Sequence, residues 1–550
     1  MTGVPVGSPP DRSRAIGTEG GVAGAGSGVA RATAALTALT LISRITGVVR
    51  VLVIAAVLGT TFLGNTFQSA NAVPNLIFEM FAAGTLQAVM IPSLVERFDR
   101  GDRVGAEHLA GALLGLALVG LGIVAVAGMV AAPWLMRALV AGVESPEVRS
   151  AEVRLGTVLL WFFLPQVVLY AAGAVATAVL HARGRFVAPA VAPIANNVVV
   201  VAMCGVFWLM LGGRAPGLDL SAPQIAVLGV GTTLGVVALS ALPVVAAFRA
   251  GIPLRPRLEM RHPEVRRVVR LGGWAGCSVA ATQLLAAAVL VLANAVEGGV
   301  VAYQVAFTVF LLPYALVALP VLTALFPQLA RQAGTGDQAG YARGVGAGLQ
   351  VIAFGALPAA AALAALAAPL AQLLLFGNSR GDTAVVAATL VAFAPGLVGY
   401  GAFMFLTRAL YAQGDSRTAA VVHLGAVGAG VVAMVVLAGA LRGSERVPAL
   451  AGAHSAAYLL AALALGVVVW RRLPGGARPR LARPLVGGTV AAALGGVSMW
   501  AAQERVPVAG TGSAMTAVAL AGVLGLGVYL GAQALAGTRP AGVVRLLRER

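Results

Sequence analysis

The chain has 550 residues, 59% of them hydrophobic and only 11% charged, with a mean hydropathy of +0.91. This excludes an ordinary soluble globule, whose composition is much more polar. The net charge of +18 comes from arginine alone, and its clustering between apolar stretches reads as membrane topology rather than nucleic-acid binding.

Residues 1–30 are rich in Gly, Ala, Ser and Pro and lack the basic run and apolar core of a signal peptide, so a disordered cytoplasmic tail is expected. About fourteen stretches of membrane-spanning length follow. They lie at 33–58, 66–95, 109–140, 156–180, 187–212, 222–248, 268–295, 300–330, 345–370, 384–411, 417–440, 448–470, 484–502 and 513–536. The fold class is therefore an all-α polytopic membrane protein. An even number of spans returns both termini to one side. With the N-terminus cytoplasmic, the inner loops hold Arg97, Arg100 and Arg103, then Arg261, Arg266, Arg267 and Arg270, and later Arg471, Arg472, Arg478 and Arg480. The positive-inside rule thus places both termini in the cytoplasm, and the basic loops are expected to attract anionic lipids.

Charge inside the spans is costly and marks function. Helix 1 carries Ser43, Arg44 and Arg50, and helical spacing puts Ser43, Gly47 and Arg50 on one stripe with Arg44 about 120° away from Arg50. Helix 2 carries Gln68, Asn71, Asn75 and Glu79 at intervals of three, four and four, one polar face along its length. Glu79 reads as the one carboxylate deep in a span, either a coupling group or an ion-pair partner of arginine. Cys204 and Cys277 read as small core residues, and His181, His423 and His454, at helix ends or among small apolar residues, as packing groups. Gly111 and Gly115 fit close helix packing. No metal site, cofactor motif or paired nucleophile is expected.

The chain also repeats itself. Ile91-Pro92-Ser93-Leu94 with Arg97 and Gly101-Asp102 recurs as Phe326-Pro327-Gln328-Leu329 with Arg331 and Gly336-Asp337, and Leu180-His181-Ala182-Arg183-Gly184-Arg185 recurs as Leu410-Tyr411-Ala412-Gln413-Gly414-Asp415. Offsets of about 230 to 235 residues span six helices, so the two copies share an orientation and are related by an axis along the membrane normal. The expected organisation is an N-lobe of helices 1 to 6 at 31–249, a basic interlobe linker at 250–267, a C-lobe of helices 7 to 12 at 268–472, and helices 13 and 14 with a basic cytoplasmic tail at 473–550.

These residues resemble the MurJ/MviN family of lipid II flippases, within the multidrug, oligosaccharidyl-lipid and polysaccharide exporter superfamily. The resemblance rests on Ser43-Arg44 with Gly47 and Arg50, Pro74-Asn75-Leu76 with Phe81-Ala82 and Gly84, and Pro92. It continues through Phe163-Leu164-Pro165-Gln166, Ala182-Arg183-Gly184-Arg185-Phe186, Pro189, Ala192-Pro193, Asn196-Asn197 and Gln283. It implies two lobes about a central cavity that alternates in access, in a bacterial cytoplasmic membrane, and a lipid-linked pyrophosphate substrate of peptidoglycan synthesis. The composition looks like that of a high-GC, actinobacterial source. Arginine suits such cargo because its planar fork grips phosphate oxygens in pairs. Arg44 and Arg50 are accordingly expected to bind pyrophosphate, with Ser43, Gln68, Asn71 and Asn75 completing the substrate wall and Glu79 as the coupling or ion-pair candidate. The chain departs from the family at Phe78 and Glu79, where members carry two arginines, at Asn65, where they carry an acid, and at Thr308, where they carry an arginine. These departures keep two alternatives open: another lipid-linked oligosaccharide flippase or cation-coupled small-molecule antiporter of the superfamily, and a non-transporting scaffold that partners cell-wall synthesis proteins. Neither enzymatic activity nor a nucleic-acid partner is expected.

Overall fold

The computed structural model describes residues 22–80, 84–258, 273–506 and 510–536, and every regular element among them is a helix. The first group comprises α1 (Val22–Leu58), α2 (Phe62–Phe78), α3 (Gly84–Asp99), α4 (Arg103–Leu139), α5 (Pro146–Phe163), α6 (Gln166–Ala182), α7 (Val187–Leu211) and α8 (Ala222–Arg249). The second comprises α9 (Gly273–Ala293), α10 (Gly299–Pro313), α11 (Leu319–Gly334), α12 (Gln338–Ala365), α13 (Ala367–Leu374), α14 (Thr383–Ala412), α15 (Ser416–Ala440) and α16 (Arg446–Arg472). The chain ends with α17 (Ala482–Gln503) and α18 (Thr511–Leu535). Helix α1 begins inside the stretch expected as a tail, while residues 1–21 lie outside the described residues.

Thirteen of these stretches are long and apolar enough to cross a membrane. The remaining expected span, 66–95, is divided into α2 and α3, each short of the roughly 20 residues a span needs. A π-type turn at Glu79–Met80 follows α2 one turn beyond Pro74. The same break occurs in the second group, where α10 ends at Pro313 and a π-helix, Tyr314–Ala318, leads into α11. A proline has no amide for the helical ladder, and the backbone rewinds around the gap.

The repeated motifs are one piece of local chemistry used four times. Gly101 and Gly336 both sit at φ 75°, and the amides of Asp102 and Asp337 donate back to the carbonyls of Arg97 and Gln332 at 2.9 Å each. Gly184 (φ 67°) and Gly414 (φ 78°) likewise let Arg185 and Asp415 donate to Leu180 and Leu410 at 2.8 and 3.0 Å. This five-residue return bond is the left-handed glycine helix stop. The aspartates then start the next helices, Asp102 accepting from the Gly105 amide at 2.8 Å, Asp337 from Gly340 at 2.7 Å and Asp415 from Thr418 at 2.9 Å.

In the first group α1 packs on α7, α2 on α5, and α8 on both α6 and α7; in the second, α9 and α16 pack on α15, and α14 lies between α10 and α16. Helices α17 and α18 pair with each other and lean on α12. Large apolar residues such as Ile123, Val130, Trp134, Trp208 and Leu463 remain exposed, as on a bundle whose outer surface meets lipid. Of the stretch expected as a linker, residues 250–258 are described, and Arg255 and Arg257 in it run along α4. The Arg257 amide donates to the Gly111 carbonyl at 2.9 Å, and its guanidinium lies 2.8 Å from His108 Nδ1. A Cβ on Gly111 or Gly115 would meet the linker's own carbonyls, Arg255 O at 2.4 Å and Arg257 O at 2.1 Å, so these glycines admit the linker backbone rather than a neighbouring helix. Arg261, Arg266, Arg267 and Arg270 lie outside the described residues.

The two groups are tied at one face. The Thr60 hydroxyl donates to Asp382, Asn378 Nδ2 to the Val57 carbonyl at 3.0 Å, and Asn294 Nδ2 to Ser69 Oγ at 2.8 Å. Asn65, fully buried, uses both ends of its amide across the seam, giving to Val296 O at 2.8 Å and accepting from the Val300 amide at 3.0 Å.

Candidate functional site

Beneath this closed face lies a cavity of ≈ 270 Å³ lined by α1, α2, α6, α7 and α8 of the first group and by α9 and α10 of the second. Among the described residues, Arg50 is the sole charged one in its lining. Gln68, Asn71 and Asn75 line it from α2, so the three amides that share a helical face open onto one space with the arginine. Tyr170, Asn196, Thr232 and Gln304 complete the polar wall.

Arg50 is held at one end only. With the Asn196 amide turned so that its nitrogen donates to Gly235 O at 3.2 Å, its oxygen accepts from Arg50 Nη1 at 3.1 Å. Arg50 Nε is buried and has no hydrogen-bond partner. A guanidinium carries five donors in a fixed fork, and a buried donor left unsatisfied costs about 1–3 kcal/mol. An anionic acceptor in the cavity would meet the one cationic residue of its lining, and the surrounding amides and hydroxyls match the hydroxyls of a sugar. Next to Asn196, Asn197 faces the other way: its Nδ2 donates to Thr46 Oγ1 at 3.0 Å and fixes α7 against α1. Gly47 lies on that contact, but a Cβ there would be 3.7 Å from Asn197 Nδ2, an ordinary distance, so no close approach depends on it.

The other expected site residues do not line this cavity. Ser43 is half-buried and Arg44 is exposed, about 9 Å of helix rise from Arg50. Arg44 lies within electrostatic reach of Tyr314, as does Arg408 of α14. Glu79 stands one turn past Asn75, outside the cavity lining, and makes no ion pair with either arginine. Thr308 returns its hydroxyl to the Gln304 carbonyl at 2.7 Å.

Two expectations need correction. Glu79 is not the only carboxylate within a span: Glu152 lies in the stretch Pro146–Ala182, fully buried, where Oε1 accepts from Thr66 Oγ1 at 2.9 Å. Its helix starts ten residues before the apolar stretch because Ser145 caps it and Pro146 takes its first position. His423 and His454 are not among small apolar residues but inside aromatic clusters. His423 lies 4.6 Å from Phe403, and His454 lies 5.0 to 6.3 Å from five rings, centroid to centroid.

A second concavity, an apolar groove of ≈ 600 Å³, runs between α12, α14, α16 and α17. Leu349, Val398, Leu463, Val467 and Trp470 line it, with Arg471 at its rim.

The family model described as "Lipid II flippase MurJ" matches residues 54–519. A protein of Rhizobium tropici, "Probable lipid II flippase MurJ", is 28% identical over 494 residues, 88% of this chain and 89% of that one. "Lipid II flippase MurJ" of Burkholderia cenocepacia is 28% identical over 400 residues, 72% of this chain and 75% of its own length. Among solved structures, "Lipid II flippase MurJ, inward closed conformation" superposes with a TM-score of 0.69 at 17% identity, over 91% of this chain and 98% of that one. An inward-facing multidrug resistance MATE family transporter of the MOP superfamily gives 0.65 at 14% identity, over 78% and 94%.

Proposed function

The chain belongs to the MurJ family of lipid II flippases, and from that premise we propose that it carries lipid II across the bacterial cytoplasmic membrane with the head group seated in the cavity around Arg50. The activity is transport, not catalysis. The observation that carries the reading is the guanidinium residue Arg50 lining one space with the amides of Gln68, Asn71 and Asn75. The pyrophosphate takes the guanidinium, and the sugar hydroxyls take the amides. Arg44, exposed and nearer the opposite face, meets the head group on its way in, and Ser43 beside it belongs to the same entrance.

The bonds that join the groups at residues 57–69, 294–300 and 378–382 close one side, and alternating access consists of breaking them while the other side closes. The arginine-rich loops on the opposite side make that side cytoplasmic by the positive-inside rule, with both termini there, and draw anionic lipids to it. The polyprenyl tail stays apolar throughout, and the groove between α12, α14, α16 and α17 offers it a path. Docking of cell-wall synthesis proteins would follow from the same location. Glu79, outside the cavity, gives no support to a cation-coupled antiporter.

The test is complementation in cells depleted of the native protein, read together with lipid II exposed on the outer face. Arg50→Ala is expected to abolish both while inserting normally. Arg50→Lys, which keeps charge but loses the fork, is expected to retain a minor fraction. Normal exposure with Arg50→Ala would sink the assignment.

A further inference from the structure

Among the described residues Glu152 is the one acidic side chain that is buried, with 0% of its surface exposed. Its Oε1 lies 2.9 Å from Thr66 Oγ1, which in turn lies 2.8 Å from the Phe62 carbonyl oxygen. A hydroxyl has one hydrogen to give and lone pairs to receive another. Both contacts are therefore bonded at once when the carboxyl brings its own hydrogen, Glu152 donating to Thr66 and Thr66 to Phe62. Glu152 Oε2 is buried with no hydrogen-bond partner. An ionised carboxylate in this position would have a single hydroxyl in place of its water shell, and a buried charge so poorly paired neutralises instead.

The elements around it supply no cation. Helix α5 packs on α2, α4, α6 and α8. Helix α2 carries no titratable residue along Phe62–Phe78. On α4, Arg137 is at the same end but exposed, while Arg103, Glu107 and His108 lie at the far end, as do His181 of α6 and Arg249 of α8. Tyr170 of α6 lines the cavity. On α5 itself Glu147 is exposed, Arg149 donates to the Val143 carbonyl and Arg154 to Ser150 Oγ at 3.2 Å. The remaining charge is of like sign and comes from the second group: Glu297, exposed and within electrostatic reach of Glu152. Glu297 stands in the turn whose Val296 carbonyl and Val300 amide hold Asn65, the residue before Thr66. Ser69, one turn further along α2, accepts from Asn294. Thr66 thus ties Glu152 to the part of α2 that is bonded across the seam.

We propose that Glu152 is a proton-binding site of the closed face, taking a proton from the water on that side as the face closes and returning it there as the face opens. Only the carboxyl O–H bond forms and breaks, and no proton crosses the membrane. Opening parts Asn65 from the Val296–Val300 turn and lets water reach Thr66 and the carboxyl behind it. Once ionised, Glu152 accepts from the Thr66 hydroxyl and from water. It then faces Glu297 as a like charge across the seam, which opposes closure until a proton is bound again. The sign of the linkage follows. The closed state holds one proton more than the open state, so acid favours closed and alkali open, by at most about tenfold in their ratio per pH unit.

The proposal rests on the opening of this face but not on the identity of the cargo. Its test uses the full chain in lipid nanodiscs, with Cys204 and Cys277 replaced by Ala. Nitroxides are placed at Ala141→Cys and Gly381→Cys, exposed positions of the first and second group beside Gly142 and Asp382 at the seam. Electron–electron distance distributions are recorded between about pH 5 and about pH 9, and the ratio of long to short distances is expected to rise with pH by roughly tenfold or more. Glu152→Gln, which keeps a neutral group against Thr66, is expected to hold the short distance at every pH, and Glu147→Gln to keep the rise. Glu152→Asp retains an acid and should show the rise displaced along the pH axis, which keeps the test decisive if Glu152→Gln folds poorly. Infrared spectra of the chain in the closed state should show the carbonyl band of a protonated carboxylic acid that is missing in Glu152→Gln. A rise intact in Glu152→Gln, or a closed state without that band, overturns the proposal. Distances that lengthen in Asn65→Ala but ignore pH overturn the proton site alone, whereas distances fixed under every condition contradict the opening of this face as well.

Discussion

Gly298 is the most exacting position at the closed face. It sits at φ +66°, and a Cβ there would come within 2.4 Å of the Thr60 carbonyl oxygen and 2.6 Å of the Thr60 Cβ. Gly298→Ala therefore adds two costs of different kinds. The left-handed backbone strain, about 1–2 kcal/mol, is present in any state that keeps this turn and so lowers overall stability without moving the gate. The clash with Thr60 exists only while the face is closed. Overpacking of this sort costs about 1–3 kcal/mol, which shifts the closed-to-open ratio roughly 5- to 150-fold towards open. The assay is disulfide formation between Thr60→Cys and Asp382→Cys, whose native side chains are hydrogen-bonded across the seam, in a chain with Cys204 and Cys277 replaced by Ala. Cross-linking should fall at least several-fold in Gly298→Ala while the protein remains monodisperse in detergent. An unchanged rate in folded protein would refute the claim that Gly298 is spared a side chain for closure.

Asn65→Ala removes both bonds across the seam and strands the Val300 amide and Val296 carbonyl, at about 1–3 kcal/mol for each unsatisfied group; the same cross-link should form more slowly and the thermal midpoint should drop, and a midpoint equal to wild type would contradict it. Asp415 gives a pH signature: burial would raise its pKa, but hydrogen bonds from the Thr418 hydroxyl and amide and the Arg472 guanidinium at 2.7 Å outweigh this and hold it below the usual carboxylate range. A depressed carboxylate stabilises the fold above its unfolded pKa of about 3.9, and the contribution is lost as pH falls through the folded value. Because the pair is partly solvated, Asp415→Asn should cost less than about 1 kcal/mol at pH 7, and the gap from wild type should close in acid, as read by thermal unfolding between pH 7 and pH 3.

How far the sequence was legible depends on whether a signal lay along one helix or between several. Gln68, Asn71 and Asn75 follow helical spacing, and the structure brings them to one cavity with Arg50. Tyr170, Asn196, Thr232 and Gln304 come from four other helices, and nothing in their spacing links them. Asn196-Asn197 did offer a trace, two adjacent amides inside an apolar helix, but only packing shows that one serves Arg50 and the other Thr46. Glu152 was hidden because hydropathy locates apolar stretches, whereas helices start at caps; Ser145-Pro146 carried that start. The aromatic setting of His454 was out of reach because Tyr303, Phe307, Phe310 and Phe393 lie some 60 to 150 residues away in sequence. The glycine-aspartate turns needed no tertiary information, since a left-handed stop and an aspartate cap are local devices.

The central claim is that the head group occupies the cavity at Arg50, and capture of the lipid in place tests it most directly. A photoreactive amino acid at Asn71, on the cavity wall, would be irradiated in membranes supplied with radiolabelled lipid II. Labelling of Asn71 that disappears in Arg50→Ala and is competed by unlabelled lipid II is the result expected. No labelling at Asn71, with labelling confined to the same probe at Ser43 beside Arg44, would place the head group elsewhere and contradict the account.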